Sequence, residues 1–104
     1  MTQLQEMTEK AIRIMAMYQA EYPDVKMDRD YTPFKITEEW GECLQVYLML
    51  TNRGRQKDKT KSEIKTMLQE EMADVLGHLL VFAHKENIDL EAAMQNKWFT
   101  HLDN

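Results

Sequence analysis

Residues 60–86 read TKSEIKTMLQEEMADVLGHLLVFAHKE and carry the longest helical pattern in the chain. Thr60 and Glu63 form a T-x-x-E capping box, which predicts a helix that opens after Thr60 and reaches about Glu86. Apolar side chains recur along it three and four residues apart, at Ile64, Met67, Leu68, Val75, Leu76, Leu79, Phe82 and Ala83.

Three further segments show the same spacing and bring the predicted number of helices to four. The first covers about Leu4 to Tyr22. The second runs from about Phe34 to Arg53 and should stop at Asn52-Arg53-Gly54. Asp89 is the expected N-cap of the last helix, which covers about Leu90 to Leu102. No segment alternates with period two, so the sequence predicts an all-α fold with a four-helix bundle-like protomer.

The 104 residues suffice for one domain, so residues 1–104 are expected to form a single helical domain. Apolar residues make up 43% and charged residues 30%, as in a globular protein. A domain of this size buries only about two-thirds of its unfolded surface. Apolar side chains left over are expected to pack against a second copy, which predicts a homo-oligomer.

The net charge of −5 makes nucleic acid and anionic membranes poor partners, because the long-range field has the wrong sign. An anionic substrate would need a local reversal of that sign, for which a divalent cation is the simplest candidate. Cys43 is the one cysteine, so neither an internal disulfide nor a thiolate metal cluster is expected. The N-terminal residues lack a signal-peptide pattern and no run is long enough to span a bilayer, so a cytoplasmic location is expected.

Two pairs of carboxylates occupy positions where amphipathic helices should be apolar. Glu39 and Glu42 lie three residues apart on the second predicted helix, and Glu71 and Asp74 lie three apart on the third. Residues at this spacing stand side by side, so each pair can reach one ion. Glu39 begins the helical series Cys43, Val46, Leu50, and Glu71 begins the series Val75, His78, Phe82. Both carboxylates therefore belong to the stripe that should face the core.

Unpaired carboxylates in a core cost several kcal/mol each, and four of them would also repel one another. A divalent cation resolves both problems. Oxygen ligands without thiolate favour Mg²⁺, with Mn²⁺ as a substitute. No Glu is followed by His three residues later, as di-iron bundles require. The alternative is a set of surface carboxylates paired with Lys or Arg.

The segments Lys35-Ile36-Thr37-Glu38-Glu39-Trp40-Gly41-Glu42 and Glu71-Met72-Ala73-Asp74-Val75-Leu76 resemble those of the MazG-like all-α nucleotide pyrophosphatases. The signature of that family is ExxE, a spacer, and ExxD, and 28 residues (43–70) form the spacer here. Residues 88–93 and Asn96-Lys97-Trp98 resemble the family's last helix. The likeness covers about residues 35–98.

The resemblance implies hydrolysis of a nucleoside triphosphate between its α and β phosphates, which yields a monophosphate and pyrophosphate. It implies Mg²⁺ held by Glu39, Glu42, Glu71 and Asp74, and a homodimer or homotetramer with sites near subunit contacts. Lys97, with Asn96 beside it, matches a phosphate-facing position of the family.

Other roles follow from position. Glu38 or Glu42 is the candidate general base that takes a proton from the attacking water, and Lys35 could pair with a phosphate or with the carboxylates. The basic run from Arg53 to Lys61 is more simply a solvated loop. Five aromatic residues are candidates to stack on a base but are expected in the core: Phe34, Trp40, Tyr47, Trp98 and Phe99.

Two other functions remain open at this stage. The first is a phosphoribosyl-ATP pyrophosphohydrolase-like enzyme, which differs in substrate. The second is a non-catalytic helical dimerisation module whose acidic cluster is structural.

Overall fold

The computed structural model describes residues 1–102, and that part of the chain is helical without strands. Its elements are α1 (Gln3–Glu21), α2 (Tyr31–Leu50), α3 (Lys61–Lys85), α4 (Leu90–Lys97) and a 3₁₀ helix (Phe99–Leu102). The predicted all-α class with four helices is therefore confirmed. Within residues 1–102 no helix combines the length and the apolar character that crossing a bilayer requires.

An antiparallel pair, α2 and α3, forms the centre of the fold. At the loop end, Val46 and Met49 of α2 pack with Ile64 of α3 in one buried cluster. At the other end, Arg29 precedes α2 and donates to Glu86, which follows α3, with an N···O distance of 2.8 Å. The two helices therefore run side by side along most of the length of α2.

The remaining helices lie outside this pair. The first helix, α1, contacts α3, whereas α4 contacts chiefly the 3₁₀ helix that follows it. No residue of α1 or α4 is buried. The radius of gyration is 16.5 Å, against about 13 Å for a compact domain of this length. The single chain is thus more open than the closed bundle that four helices suggest, because α4 is short and has little apolar surface to bury.

The ends of α2 differ from the prediction by one turn. The helix begins at Tyr31 and includes Pro33 in its first turn. A proline is tolerated there, because the backbone N–H groups of the first turn have no partner within the helix. It ends at Leu50. Two residues later Asn52 adopts the left-handed conformation, with φ 61°, whereas Gly54 does not.

The last helix is also shorter than predicted, since α4 ends at Lys97 and a 3₁₀ helix continues to Leu102. Its predicted N-cap is confirmed, because the Asp89 carboxylate accepts from the backbone N–H of Ala92. The Thr60 capping box is confirmed as well, with Thr60 and Glu63 bonded in both directions.

The prediction of core aromatic residues is wrong for the single chain. Phe34, Trp40, Tyr47, Trp98 and Phe99 are all exposed, Trp40 at 51% and Phe34 at 69%. The apolar arc of α2 is wider than α3 alone covers, so one neighbour leaves part of it in water.

Replacing Thr60 by alanine removes the side-chain acceptor of the capping box at the start of α3. We expect Thr60→Ala to lower the free energy of unfolding by about 1 kcal/mol in urea titrations. Thr66→Ala is the matched control, since Thr66 lies within the exposed face of α3 and alanine favours the helix interior. Equal stability of Thr60→Ala and the parent would contradict a role for this cap.

Candidate metal centre

The interface between α2 and α3 changes character along its length. Near the loop it is apolar, with Val46 and Met49 against Ile64. One turn further from the loop, Cys43 is 3% exposed, and one turn beyond it Glu39 is 8% exposed. The buried stripe of α2 thus passes from apolar side chains to a carboxylate without leaving the interface.

Five carboxylates converge at this point in two overlapping groups. Glu38, Glu39 and Glu42 each place a carboxylate oxygen within 4.8 Å of the others, and Glu39, Glu71 and Asp74 do the same across the interface. Glu39 belongs to both groups. The structure therefore brings together all four residues predicted as metal ligands, together with Glu38.

Two oxygens of this cluster are buried without a hydrogen-bond partner among the described residues: Oε2 of Glu39 and Oε2 of Glu71. A buried carboxylate oxygen that loses water and gains no partner costs several kcal/mol. Both belong to the group of three that joins the two helices, and Glu71 is half-buried. The cluster therefore lacks positive charge on its inner side.

The electrostatics of the cluster indicate the same deficit. Burial raises the pKa of Glu39, and the close carboxylates of Glu42 and Asp74 raise it further. Burial also raises the pKa of Glu71, followed by the charges of Glu42 and Asp74. Even the thiol of Cys43 has a raised pKa, from burial and from the charge of Glu71. Burial and the neighbouring negative charges therefore disfavour the ionised forms of these groups.

Lys35 is the one cation that forms an ion pair with the cluster within residues 1–102. Its Nζ lies 3.1 Å from Oε1 of Glu38 and 3.7 Å from Oε1 of Glu39, and its side chain is 26% exposed. Burial alone would lower the pKa of Lys35, but the hydrogen bond to Glu38 and its charge outweigh that effect and raise it. A single ammonium group therefore faces five carboxylates from one edge.

The donor set fits a hard divalent cation. All donors are carboxylate oxygens, two of them are buried and unpartnered, and they approach from two helices. Mg²⁺ and Mn²⁺ prefer such ligands, and Mg²⁺ keeps several waters beside one or two carboxylates. The partly exposed edge at Glu38 and Asp74 leaves room for water and for an anionic ligand.

Other predicted site residues do not join the cluster within the chain. Asn96 and Lys97 on α4 are exposed, and neither forms a hydrogen bond or ion pair with the carboxylates within the described range. The basic loop lies at the far end of the interface, because Leu50 is eleven positions, or about 16 Å along α2, from Glu39. One of its members, Lys61, instead binds the carbonyls of Met49 and Leu50.

One buried polar residue is not among those predicted from the sequence. Thr32 is 0% exposed and its hydroxyl has no hydrogen-bond partner among residues 1–102. It lies seven residues before Glu39 and extends the same buried stripe by two turns. The seven-residue spacing from Glu39 was the signal for the burial of Thr32, but Pro33 suggested that the helix had not yet begun.

We expect Glu71→Gln to stabilise the metal-free protein at pH 7 and to lose this effect near pH 4. The folded-state pKa of Glu71 is raised, so its charge penalty is absent below the unfolded pKa and complete above the folded pKa. Thermal unfolding in EDTA should show a gain of about 2–4 °C at pH 7, the effect of roughly 0.5–1 kcal/mol in a domain of this size.

The neighbouring Glu70→Gln makes the same charge change on an exposed side chain outside the cluster and should shift the melting temperature little at either pH. A gain for Glu71→Gln that is identical at pH 4 and pH 7 would show that the carboxylate charge is not its cause.

Comparison with known proteins adds no relative. No protein-family model matches the chain, and neither a curated protein nor a solved structure matches it. The MazG-like resemblance therefore depends on the motif residues alone, of which Glu39, Glu42, Glu71 and Asp74 meet in one cluster.

Proposed function

We propose that the protein is a Mg²⁺-dependent nucleoside triphosphate pyrophosphohydrolase, which cleaves (d)NTP to (d)NMP and pyrophosphate. The observation that carries the proposal is the pair of buried, unpartnered oxygens of Glu39 and Glu71, grouped with Asp74 between α2 and α3. An arrangement that is costly without a cation is the expected form of a site that binds one. The reaction type comes from the MazG-like motif.

Each carboxylate has a role in this proposal. Glu39, Glu42, Glu71 and Asp74 hold Mg²⁺, with Mn²⁺ as a substitute. A bound divalent ion supplies charge neutralisation at the phosphate oxygens and lowers the pKa of a coordinated water. A carboxylate oxygen of Glu38 or Glu42 takes the proton of the attacking water. Glu38 is exposed and Glu42 half-buried, so both are within reach of solvent.

The phosphates need positive groups beyond the metal. Lys35 already lies at the edge of the cluster, 3.1 Å from Glu38. Asn96 and Lys97 form no hydrogen bond or ion pair with the cluster among residues 1–102, so we propose that they reach the substrate across a subunit contact. This assignment requires a homodimer or homotetramer.

An oligomer also accounts for the exposed apolar surface. Trp40, Leu44, Tyr47 and Leu48 form a stripe on α2 beside the buried one, and each is at least 41% exposed. α3 exposes a similar set: Met72, Leu76 and Leu79. Such surface normally marks a protein contact.

The composition favours a nucleotide and not a nucleic acid as partner, since the chain is acidic and its basic loop lies away from the carboxylates. The free thiol of Cys43 suits the reducing cytoplasm that we propose as its location. No membrane association is proposed.

Pyrophosphate release tests the reaction. The full chain is incubated with Mg²⁺ and a panel of canonical dNTPs, modified dNTPs and phosphoribosyl-ATP. We expect turnover with at least one of them, lowered at least about 100-fold by Glu39→Gln and by Glu71→Gln, since loss of a ligand exceeds the cost of losing a supporting residue. Glu70→Gln is the matched control and should retain activity.

The panel also separates the alternatives. Preference for phosphoribosyl-ATP would favour the alternative of a phosphoribosyl-ATP pyrophosphohydrolase-like enzyme. Absence of turnover with every substrate at micromolar enzyme would contradict the enzymatic proposal and favour a non-catalytic dimerisation module.

Oligomerisation is tested on the exposed stripe of α2. We expect Leu44→Glu to halve the molar mass, or reduce it further, in light scattering coupled to gel filtration, because a charge would be buried in the contact. Gln45→Glu adds the same charge at the next residue, which is also exposed but outside the stripe, and should leave the assembly intact. A monomeric parent protein would contradict the proposed oligomer.

A further inference from the structure

Lys35 occupies a place that a divalent cation would contest. Its ammonium contacts Glu39, a member of both carboxylate groups, at 3.7 Å, and the exposed Glu38 at 3.1 Å. Three-quarters of the side chain is buried. Lys35 is therefore packed against the cluster and not merely attracted to it from solvent.

An ammonium and a divalent cation on the same carboxylate repel each other, because both charges fall within a few ångströms in a partly desolvated site. Glu39 is buried and fixed by the α2–α3 interface, whereas the lysine stem has four rotatable carbons and a compact charge. If an ion binds, Lys35 would therefore be the partner that moves. Glu38 lies on the solvent side of the cluster and keeps the ammonium near its outer edge.

From this geometry we infer that Lys35 is a resident counter-ion, displaced from Glu39 by the divalent metal and thereby made available to a phosphate group of the substrate. The inference depends on the proposed function and assigns Lys35 two successive partners. It follows that Lys35 weakens metal binding when no phosphate is present and couples the two ligands when both are present. By linkage, each ligand then raises the affinity for the other by the same factor.

Metal affinity without substrate provides the first test. Mn²⁺ binding to the full chain is followed by electron paramagnetic resonance of free Mn²⁺. We expect Lys35→Met to bind Mn²⁺ about two- to fivefold more tightly than the parent, the upper part of the range that single ion pairs contribute. Lys10→Met removes the same charge from the exposed face of α1 and should leave the affinity unchanged.

Coupling provides the second test, with inorganic phosphate as the probe because it chelates free Mn²⁺ only weakly. Added phosphate should tighten Mn²⁺ binding by about threefold in the parent and in Lys10→Met, and have no effect in Lys35→Met. Lys35→Arg keeps the charge and should behave like the parent within about twofold. Lys35→Gln is measured beside Lys35→Met, so that a folding defect of one variant does not decide the result.

The outcomes separate this inference from the proposed function. If the parent binds Mn²⁺ but neither Lys35→Met nor Lys35→Gln binds it more tightly, the counter-ion role is overturned and the metal site stands. If phosphate tightens Mn²⁺ binding equally in all variants, the coupling through Lys35 is overturned. If the parent binds no divalent ion, the metal site itself is wrong.

Discussion

Two carboxylate oxygens buried between α2 and α3 impose the main constraint on this protein. Oε2 of Glu39 and Oε2 of Glu71 are removed from water and have no hydrogen-bond partner among residues 1–102. In the absence of a cation they oppose the packing of the two helices, and burial raises the pKa of both groups. The rest of the interface must supply the free energy that holds them together.

Packing at the loop end of the α2–α3 pair supplies this free energy. Val46 and Met49 bury their side chains against Ile64, which is 0% exposed. The ammonium of Lys61 binds the carbonyls of Met49 and Leu50, and Gln56 donates to the carbonyl of Met49 as well. These carbonyls at the end of α2, which have no partner within the helix, are therefore hydrogen-bonded. This closure fixes the register of the helices, and a slip of one turn, about 5.4 Å, would separate Glu39 from Glu71.

Local rules predicted much of this. Helical spacing placed Glu39 and Glu71 on inward faces, and capping chemistry placed the start of α3 at Thr60. Pro33 misled the prediction because a proline breaks a helix interior but is tolerated in a first turn. The exposure of Trp40 could not be predicted, because helical spacing shows which face of the helix a side chain occupies and does not show which surface covers that face. The position of α4 likewise depends on tertiary contacts that the sequence does not encode locally.

Under the proposed function, the same cluster reconciles an acidic chain with an anionic substrate. Two groups of three carboxylates share Glu39, and a single Lys35 accompanies them. Five carboxylates outnumber the one ammonium group, so the cluster by itself would repel a triphosphate. Under the proposed function, divalent charge held by these carboxylates would offset that repulsion, and Lys35 at the outer edge would meet the phosphates.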